Sequence, residues 1–206
     1  MSIDWRKEVK RSDLRRRAGK RPLKEAFLIV CEGEKTEPYY FESFRVGSAK
    51  VHVLGLGFNT LSLVKEAVRL KDAARSEGYQ LDQVWCVFDK DAFPARDVNE
   101  AFALAKRKNI RIAYSNEAFE LWYILRFEPF VAAWSRDRYK KKLTDLLGFE
   151  YQKNDKRMYE ALLNRQKQAM QNAASLLASH DPYKPAEHNP STTVHLLVAE
   201  LNKFLS

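Results

Sequence analysis

Three carboxylates follow two apolar segments that have the composition of buried strands. Residues 27–31 (FLIVC) are followed directly by Glu32, and residues 84–88 (VWCVF) are followed by Asp89 and Asp91. Ligands of open α/β sheets bind just beyond the carboxyl ends of the strands. Asp89 and Asp91 are two residues apart, so an extended backbone would direct both side chains to the same side. Carboxylate oxygens in such a place predict a site for Mg²⁺ or Mn²⁺.

Each of these acids also has an ordinary structural explanation, because acidic residues commonly begin loops and Asp favours turns and helix caps. For Asp89 taken alone, that explanation is the stronger of the two. The combination of Glu32 with Asp89 and Asp91, on two strands that run in the same direction, favours a shared metal site.

The predicted turn after the first strand carries further charged residues. Glu37 can reach the site directly or through water, and we include it among the candidate metal ligands. Lys35 lies at the mouth of the turn, where an ammonium can contact a phosphate or stabilise a leaving oxygen. An ordinary surface lysine is the alternative for Lys35, and Glu34 is assigned to solvent.

Glu120 lies inside an apolar run, residues 116–126 (NEAFELWYILR). A carboxylate enclosed in this way is costly to bury unless a cation or a metal offsets its charge. A structural salt bridge, to Arg126 or to a basic residue of the helical part, is as consistent with the sequence as a metal-binding or catalytic role. The four histidines and two cysteines do not have the spacing of a zinc site.

The elements that would position these residues alternate between strand and helix up to residue 115. Further strands are predicted at residues 51–54 and 110–114, and helices begin near Thr36, near Thr60 and at residue 95, with Thr36 and Thr60 as helix caps. The alternation predicts an α/β fold with a mostly parallel, four-stranded sheet and helices on both faces.

After residue 115 only helices are predicted, and the segment Asn189-Pro190-Ser191-Thr192 is interpreted as a cap for the last one. The predicted helices cover residues 116–127 and 136–147, a segment through Tyr159 and Leu163, a segment ending at Ala178, and residues 193–205. The predicted organisation is a basic, flexible N-terminal arm at residues 1–24 and a single domain at residues 25–206, with its sheet core at 25–115 and its helical part at 116–206.

Length, composition and charge limit the class of protein. With 206 residues, of which 45% are hydrophobic, the chain can form one substantial core. Cys31 and Cys86 lie in predicted central strands and are expected to act as small core residues rather than as a disulfide or a reactive thiol. No apolar run approaches the roughly 20 residues needed to cross a bilayer, so we expect a cytoplasmic protein.

The net charge of +9 is unevenly distributed, because residues 1–25 contain ten Lys and Arg but four Asp and Glu. Such an arm suits a polyanion such as nucleic acid, since neutralising phosphates releases counterions. A solvated leader is the equally consistent alternative. Basic residues next to an aromatic one at 139–142 (YKKK) add supporting, but unspecific, indication of nucleic-acid binding.

Four motifs together resemble the RloB-like family. They are CEGEKTE at 31–37, FDKD at 88–91, SNEAFELWYILRFE at 115–128 and NPSTTV at 189–194. This family is similar to the TOPRIM fold, the Mg-dependent catalytic module of topoisomerases, primases and OLD-type nucleases. The resemblance implies a TOPRIM-like, Rossmann-like sheet in which Glu32 matches the glutamate of the first strand, Asp89 and Asp91 match the DxD pair, and Glu37 matches a further acid of OLD nucleases. It also implies that Glu120 lies in or beside the site.

One position departs from the family pattern, because Arg126 stands where members often carry His. An Arg cannot act as a general base at neutral pH, which leaves phosphate binding as its possible role in the site. The resemblance further implies a bacterial defence or restriction context and frequent pairing with an AAA-type ATPase.

The leading hypothesis is a metal-dependent nuclease that hydrolyses phosphodiesters of RNA or DNA, as an effector in bacterial anti-phage defence. Its Mg²⁺ or Mn²⁺ ligands would be Glu32, Glu37, Asp89 and Asp91, and its catalytic residues Glu32, Lys35, Asp89, Asp91 and Glu120. The alternative is a non-catalytic module that binds a nucleotide or nucleic acid and regulates an ATPase partner. A HAD-like phosphatase is a weaker rival, because FDKD follows the third predicted strand rather than the first.

Overall fold

A computed structural model describes residues 3–8, 25–90, 93–181 and 183–205. Within these residues, five strands form one sheet in the order β2-β1-β3-β4-β5. β1 pairs in parallel with both β2 and β3, and β3 pairs in parallel with β4, whereas β5 is antiparallel to β4. The strands are β1 (Glu25–Cys31), β2 (Ala49–Gly55), β3 (Gln83–Asp89), β4 (Arg111–Asn116) and β5 (Ser191–Thr192).

The predicted mixed α/β fold is confirmed, but the predicted number of four strands is wrong. The fifth strand comes from the segment that we interpreted as a helix cap. Ser191 and Thr192 pair with Asn116 and Ser115, respectively. Two residues are too few to show the alternation that marks a strand in a sequence. Their pairing depends on tertiary structure, because the helices after β4 must bring residues 191–192 back beside β4.

Helices connect the strands and continue after β4. The helices are α1 (Thr36–Glu42), α2 (Thr60–Ser76), α3 (Ala95–Arg107), α4 (Glu120–Ile124), α5 (Arg136–Leu147), α6 (Met158–Leu162), α7 (Gln166–Ala178) and α8 (Val194–Asn202), with a 3₁₀ turn at Leu163–Arg165 between α6 and α7. A helix was predicted at 116–127, but the observed helix α4 covers only Glu120–Ile124, because Asn116 still belongs to β4.

Neither of the predicted threonine caps is used. Asn59 caps α2, because its side chain accepts a hydrogen bond from the backbone N–H of Ser62 at 3.0 Å. At the start of α1, the hydroxyl of Thr36 instead donates to the backbone carbonyl of Lys153, at 2.6 Å. Thr36 therefore links the first turn of α1 to the loop between α5 and α6.

The two faces of the sheet are covered by different helices. Alternate residues of β1 point to opposite faces, as the strand geometry requires. Leu28 packs in the cluster that contains residues of α2 and α3. Ile29 packs on the other face, in the cluster that contains residues of α1, α4, α5, α7 and α8. Helices on both faces were predicted, and this is confirmed. Cys31 and Cys86 are both free and fully buried, one in each cluster, as expected of core residues.

Residues 5–8 form a helical turn whose Trp5 is buried against the sheet. The Trp5 ring stacks on Tyr79 and meets the edge of His52, and Glu8 forms an ion pair with Lys50 at 2.9 Å. This small part of the predicted arm is packed against the domain. Residues 9–24 lie outside the described residues, so the flexibility predicted for the arm stays a prediction. None of the helices in the described ranges is long and apolar enough to cross a bilayer.

Candidate functional site

A cavity of about 410 Å³ lies at the carboxyl ends of β1 and β3, the place at which the sequence predicts a site. Five carboxylates line it, and we call it the acidic cavity. Its lining consists of Glu32, Gly33, Glu34, Lys35, Thr36, Glu37, Asp89, Phe93, Phe119, Glu120, Arg136 and Lys153. The structure therefore brings together the predicted residues Glu32, Lys35, Glu37, Asp89 and Glu120.

Glu32 connects the ends of the two central strands. Its backbone N–H donates to the carbonyl of Val87 at 2.8 Å, which extends the pairing of β1 with β3 by one bond. Its side-chain Oε2 accepts a hydrogen bond from the backbone N–H of Asp89 at 3.1 Å. This contact fixes the position of one carboxylate relative to the strand end that carries the other.

Glu37 lies in the first turn of α1 and is 7% exposed. Its carboxylate lies so close to Gly33 that a Cβ atom at position 33 would be 2.3 Å from Oε2 of Glu37. Glycine at this position therefore gives the carboxylate room. Burial raises the pKa of Glu37, and the negative charge of Glu120 adds to this rise.

Asp89 is the last residue of β3 and is 7% exposed. Its Oδ2 lies 3.2 Å from Nη2 of Arg136, the first residue of α5. Burial raises the pKa of Asp89 well above its ordinary value, and the charges of Glu37, Glu120 and Glu32 add to this effect. The guanidinium of Arg136 opposes the rise without cancelling it. Asp89 is thus a buried acid with three other carboxylates near it.

Glu120, at 2% exposure, begins α4 and faces the same cavity. Its Oε1 accepts a hydrogen bond from the hydroxyl of Tyr151 at 3.2 Å and lies 3.9 Å from Nζ of Lys153. Of the two salt bridges that the sequence left open, the one to a basic residue of the helical part is correct. A metal-binding or catalytic role for Glu120 stays a prediction.

Lys35 precedes α1 and is exposed at the cavity, and Glu34 beside it is exposed as well. Glu34, which the sequence assigned to solvent, is exposed but also lines the cavity. Asp91, the second acid of the predicted pair, lies outside the described residues, and its part in the site stays a prediction.

Arg126 is 1% exposed and does not belong to the lining of the cavity. Its guanidinium donates to the carbonyl of Leu162 and to the hydroxyl of Tyr40. It also lies over the rings of Tyr40 and Trp122, at 5.4 and 5.3 Å from their centroids. These contacts favour a structural role in the core, and the phosphate contact that the sequence left possible has no support from this placement.

Three residues of the site have no counterpart among the predicted site residues: Arg136, Tyr151 and Lys153. The sequence showed Lys153 as one of many basic residues of the helical part, and neither Arg136 nor Tyr151 lies in a recognisable motif. All three come from α5 or the loop after it, and only tertiary packing brings them to the ends of β1 and β3.

The donor set of the acidic cavity fits a hard divalent cation in its chemistry. Carboxylate oxygens are the preferred ligands of Mg²⁺ and Mn²⁺. Burial raises the pKa of Asp89 and Glu37, neighbouring negative charges add to the rise, and a cation would offset those charges. Among the residues that the structure describes, however, no three acidic, histidine or cysteine side chains converge as a ready-made metal site. Asp89 and Glu120 instead contact Arg136 and Lys153.

Fold and cavity together define a mixed α/β protein that gathers acidic side chains at the carboxyl ends of adjacent parallel strands. More narrowly, the chain belongs to the RloB-like family, whose model, described as RloB-like protein, matches residues 27–201. No significant match was found among curated proteins or among solved structures. The family resemblance predicted from the four motifs is thereby confirmed.

Proposed function

We propose that the protein is a metal-dependent nuclease that hydrolyses phosphodiester bonds of RNA or DNA. The observation that carries this proposal is that Glu32, Glu37, Asp89 and Glu120 line one cavity. These acids come from the ends of two central strands and from the first turns of two helices. Acidic clusters in this position are typical of enzymes that hold divalent cations against a phosphate.

Each residue has a role that its surroundings support. Mg²⁺ or Mn²⁺ would be held by Glu32, Asp89 and Glu37, with Asp91 as predicted. When bound, the metal would polarise the phosphate and make a bound water more acidic. Glu37, in the first turn of α1, would assist the metal or accept a proton from the attacking water. Glu120 assists beside it, and the ammonium of Lys35 stabilises the leaving oxygen.

The fold and context implied by the family belong to the same proposal. Glu32 at the end of β1 and Asp89 at the end of the adjacent strand β3 support a TOPRIM-like arrangement. We propose accordingly that the protein acts as an effector in anti-phage defence, with an AAA-type ATPase as partner.

Substitution of Asp89 by Ala tests the proposed reaction. The purified wild-type protein is incubated with mixed RNA and with mixed DNA in Mg²⁺ or Mn²⁺, and new ends are detected by sequencing. We expect Asp89→Ala to lose all products while its circular dichroism spectrum is unchanged. Asp72→Ala is the matched control, since Asp72 is exposed on α2 and is not part of the cavity lining. Equal cleavage by the Asp89 variant and the wild type would contradict the site assignment.

A second function is favoured by one specific observation. Asp89 and Glu120 already have cationic partners, and no ready-made cluster of three ligands occurs in the described ranges. A non-catalytic module that binds a nucleotide or nucleic acid, and regulates an ATPase partner, would need no such cluster. Binding of nucleic acid by the wild-type protein without any new ends, in either cation, would favour this second function.

A further inference from the structure

Two cations of the helical part contact two acids of the acidic cavity. Arg136 lies 3.2 Å from Asp89, and Lys153 lies 3.9 Å from Glu120. Arg136 opens α5, and Lys153 lies in the loop between α5 and α6. One stretch of chain thus supplies both cations to acids that come from β3 and α4.

Arg136 and Lys153 are more exposed than the acids that they contact. The side chains of Arg136 and Lys153 are 29% and 44% exposed, against 11% and 2% for the side chains of Asp89 and Glu120. Both cations also line the cavity. The guanidinium and the ammonium are therefore more accessible to a ligand from solvent than the carboxylates of Asp89 and Glu120.

The position of Lys153 is fixed by its backbone and not by its ion pair alone. Its carbonyl accepts a hydrogen bond from the hydroxyl of Thr36 at 2.6 Å, next to the charged turn that carries Lys35. If the ammonium leaves Glu120, its backbone anchor keeps it at the cavity. The side chain can then exchange one anionic partner for another over a short distance.

A divalent cation at Asp89 and a guanidinium at Asp89 compete for the same oxygens. With a metal on this carboxylate, Arg136 would be left to pair with another anion. A planar guanidinium matches a phosphate through two parallel hydrogen bonds. A phosphate oxygen is also the group that completes the coordination of Mg²⁺ at protein sites.

We propose that Arg136 and Lys153 bind the phosphate of the substrate, and that in the cation-free protein they are held as counter-ions of Asp89 and Glu120. A divalent cation at Asp89 would leave Arg136 to pair with the phosphate, and Lys153 would reach the same phosphate by exchanging Glu120 for it. This inference rests on the proposed function for its substrate class, but it is tested by binding and not by hydrolysis.

The first measurement is calorimetric titration of the protein with MnCl₂ alone. Because Arg136→Gln removes the competitor at Asp89, we expect this variant to bind Mn²⁺ about fivefold more tightly than the wild type, or more. Arg138→Gln is the matched control, since it removes the same charge from the same helix and Arg138 lies over Trp134. Equal Mn²⁺ affinity of the two variants would overturn the inference, as would lack of Mn²⁺ binding by all three proteins.

The second measurement is binding of a fluorescein-labelled, mixed-sequence single strand, made both as RNA and as DNA, in Ca²⁺. We expect Arg136→Gln and Lys153→Gln each to weaken binding about tenfold, the loss of one charge-assisted contact. Lys156→Gln is the control for Lys153, since Lys156 lies over the ring of Tyr39. Lys153 is half exposed, so its variant should fold even if the Arg136 variant does not.

The outcomes separate this inference from the proposed function. Tighter Mn²⁺ binding with unchanged oligonucleotide binding would mean that the cations are counter-ions only, and would overturn the assignment to phosphate. Both binding effects without any hydrolysis by the wild type would support the inference and contradict the nuclease. Hydrolysis by the wild type together with unchanged binding by the variants would support the nuclease and contradict this inference.

Discussion

Arg126 and Asp89 are both buried charged residues, but their surroundings differ. The guanidinium of Arg126 has two hydrogen-bond acceptors and two ring faces, and it lies apart from the cavity. Asp89 lies among three other acids, has a cation on one side and faces an open cavity. A buried charge whose contacts all lie in the core indicates a structural role, whereas a buried acid among other acids in a cavity is a candidate ligand-binding group.

The largest effect that can test this comparison is removal of Arg126. Arg126→Ala leaves the carbonyl of Leu162 and the hydroxyl of Tyr40 without their donor and opens a cavity between two aromatic rings. We expect the free energy of unfolding to fall by about 4 kcal/mol, measured by urea denaturation. Arg96→Ala is the control, because Arg96 is an exposed helical residue whose loss should change stability by less than about 0.5 kcal/mol. A similar, small change in both variants would remove the structural assignment of Arg126.

A smaller effect is expected in the acidic cavity, where the carboxylate of Glu37 lies close to Gly33. In Gly33→Ala, the new methyl group must displace the carboxylate of Glu37, and we expect a loss of about 2 kcal/mol in the free energy of unfolding. The same substitution made in a Glu37→Ala background should be nearly neutral, which a double-mutant cycle measures directly. If Gly33→Ala costs the same in both backgrounds, the close approach of Glu37 to Gly33 is not the cause.

The smallest effect concerns the pH dependence of stability. Because the folded protein raises the pKa of Asp89 above its ordinary value of 3.8, it binds the proton more tightly than the unfolded chain does. The stability that this contributes is present below the ordinary pKa and is lost as the pH rises through the folded pKa. Asp89→Asn does not titrate and avoids that loss.

We therefore expect Asp89→Asn, without divalent cations, to gain about 1 kcal/mol of stability over the wild type at neutral pH and little near pH 4. Thermal unfolding in EDTA across this pH range measures the difference between the two proteins. Asp72→Asn, at an exposed position, should show no comparable trend. A difference between Asp89→Asn and the wild type that grows as the pH falls would contradict the raised pKa.

The sequence predicted the parts of the fold and site that depend on short segments of chain. Apolar strands that end in acid are visible in residues 27–32 and 84–89, and parallel pairing then places Glu32 beside Asp89. Arg136 and Lys153 could not be predicted in the same way. Their approach to the cavity depends on the packing of α5 and its loop, and a basic residue at the start of a helix resembles any other surface residue.

Glu120 lies between these two cases. Its apolar neighbours showed that it would be buried, but not which partner would offset its charge. The two-residue strand β5 was missed for a related reason, because its pairing with Ser115 and Asn116 is a property of the folded chain and not of its own composition.

This short strand has a consequence for the solubility of the protein. A strand at the border of a sheet exposes unpaired N–H and C=O groups that another chain can pair with, which promotes aggregation. Ser191 and Thr192 pair with the end of β4. The backbone N–H of Thr193 then donates to the carbonyl of Tyr114 at 2.8 Å, and the hydroxyl of Thr193 accepts from the N–H of Tyr114 at 3.0 Å. The segment thus pairs with the end of β4 that would otherwise offer these groups to another chain.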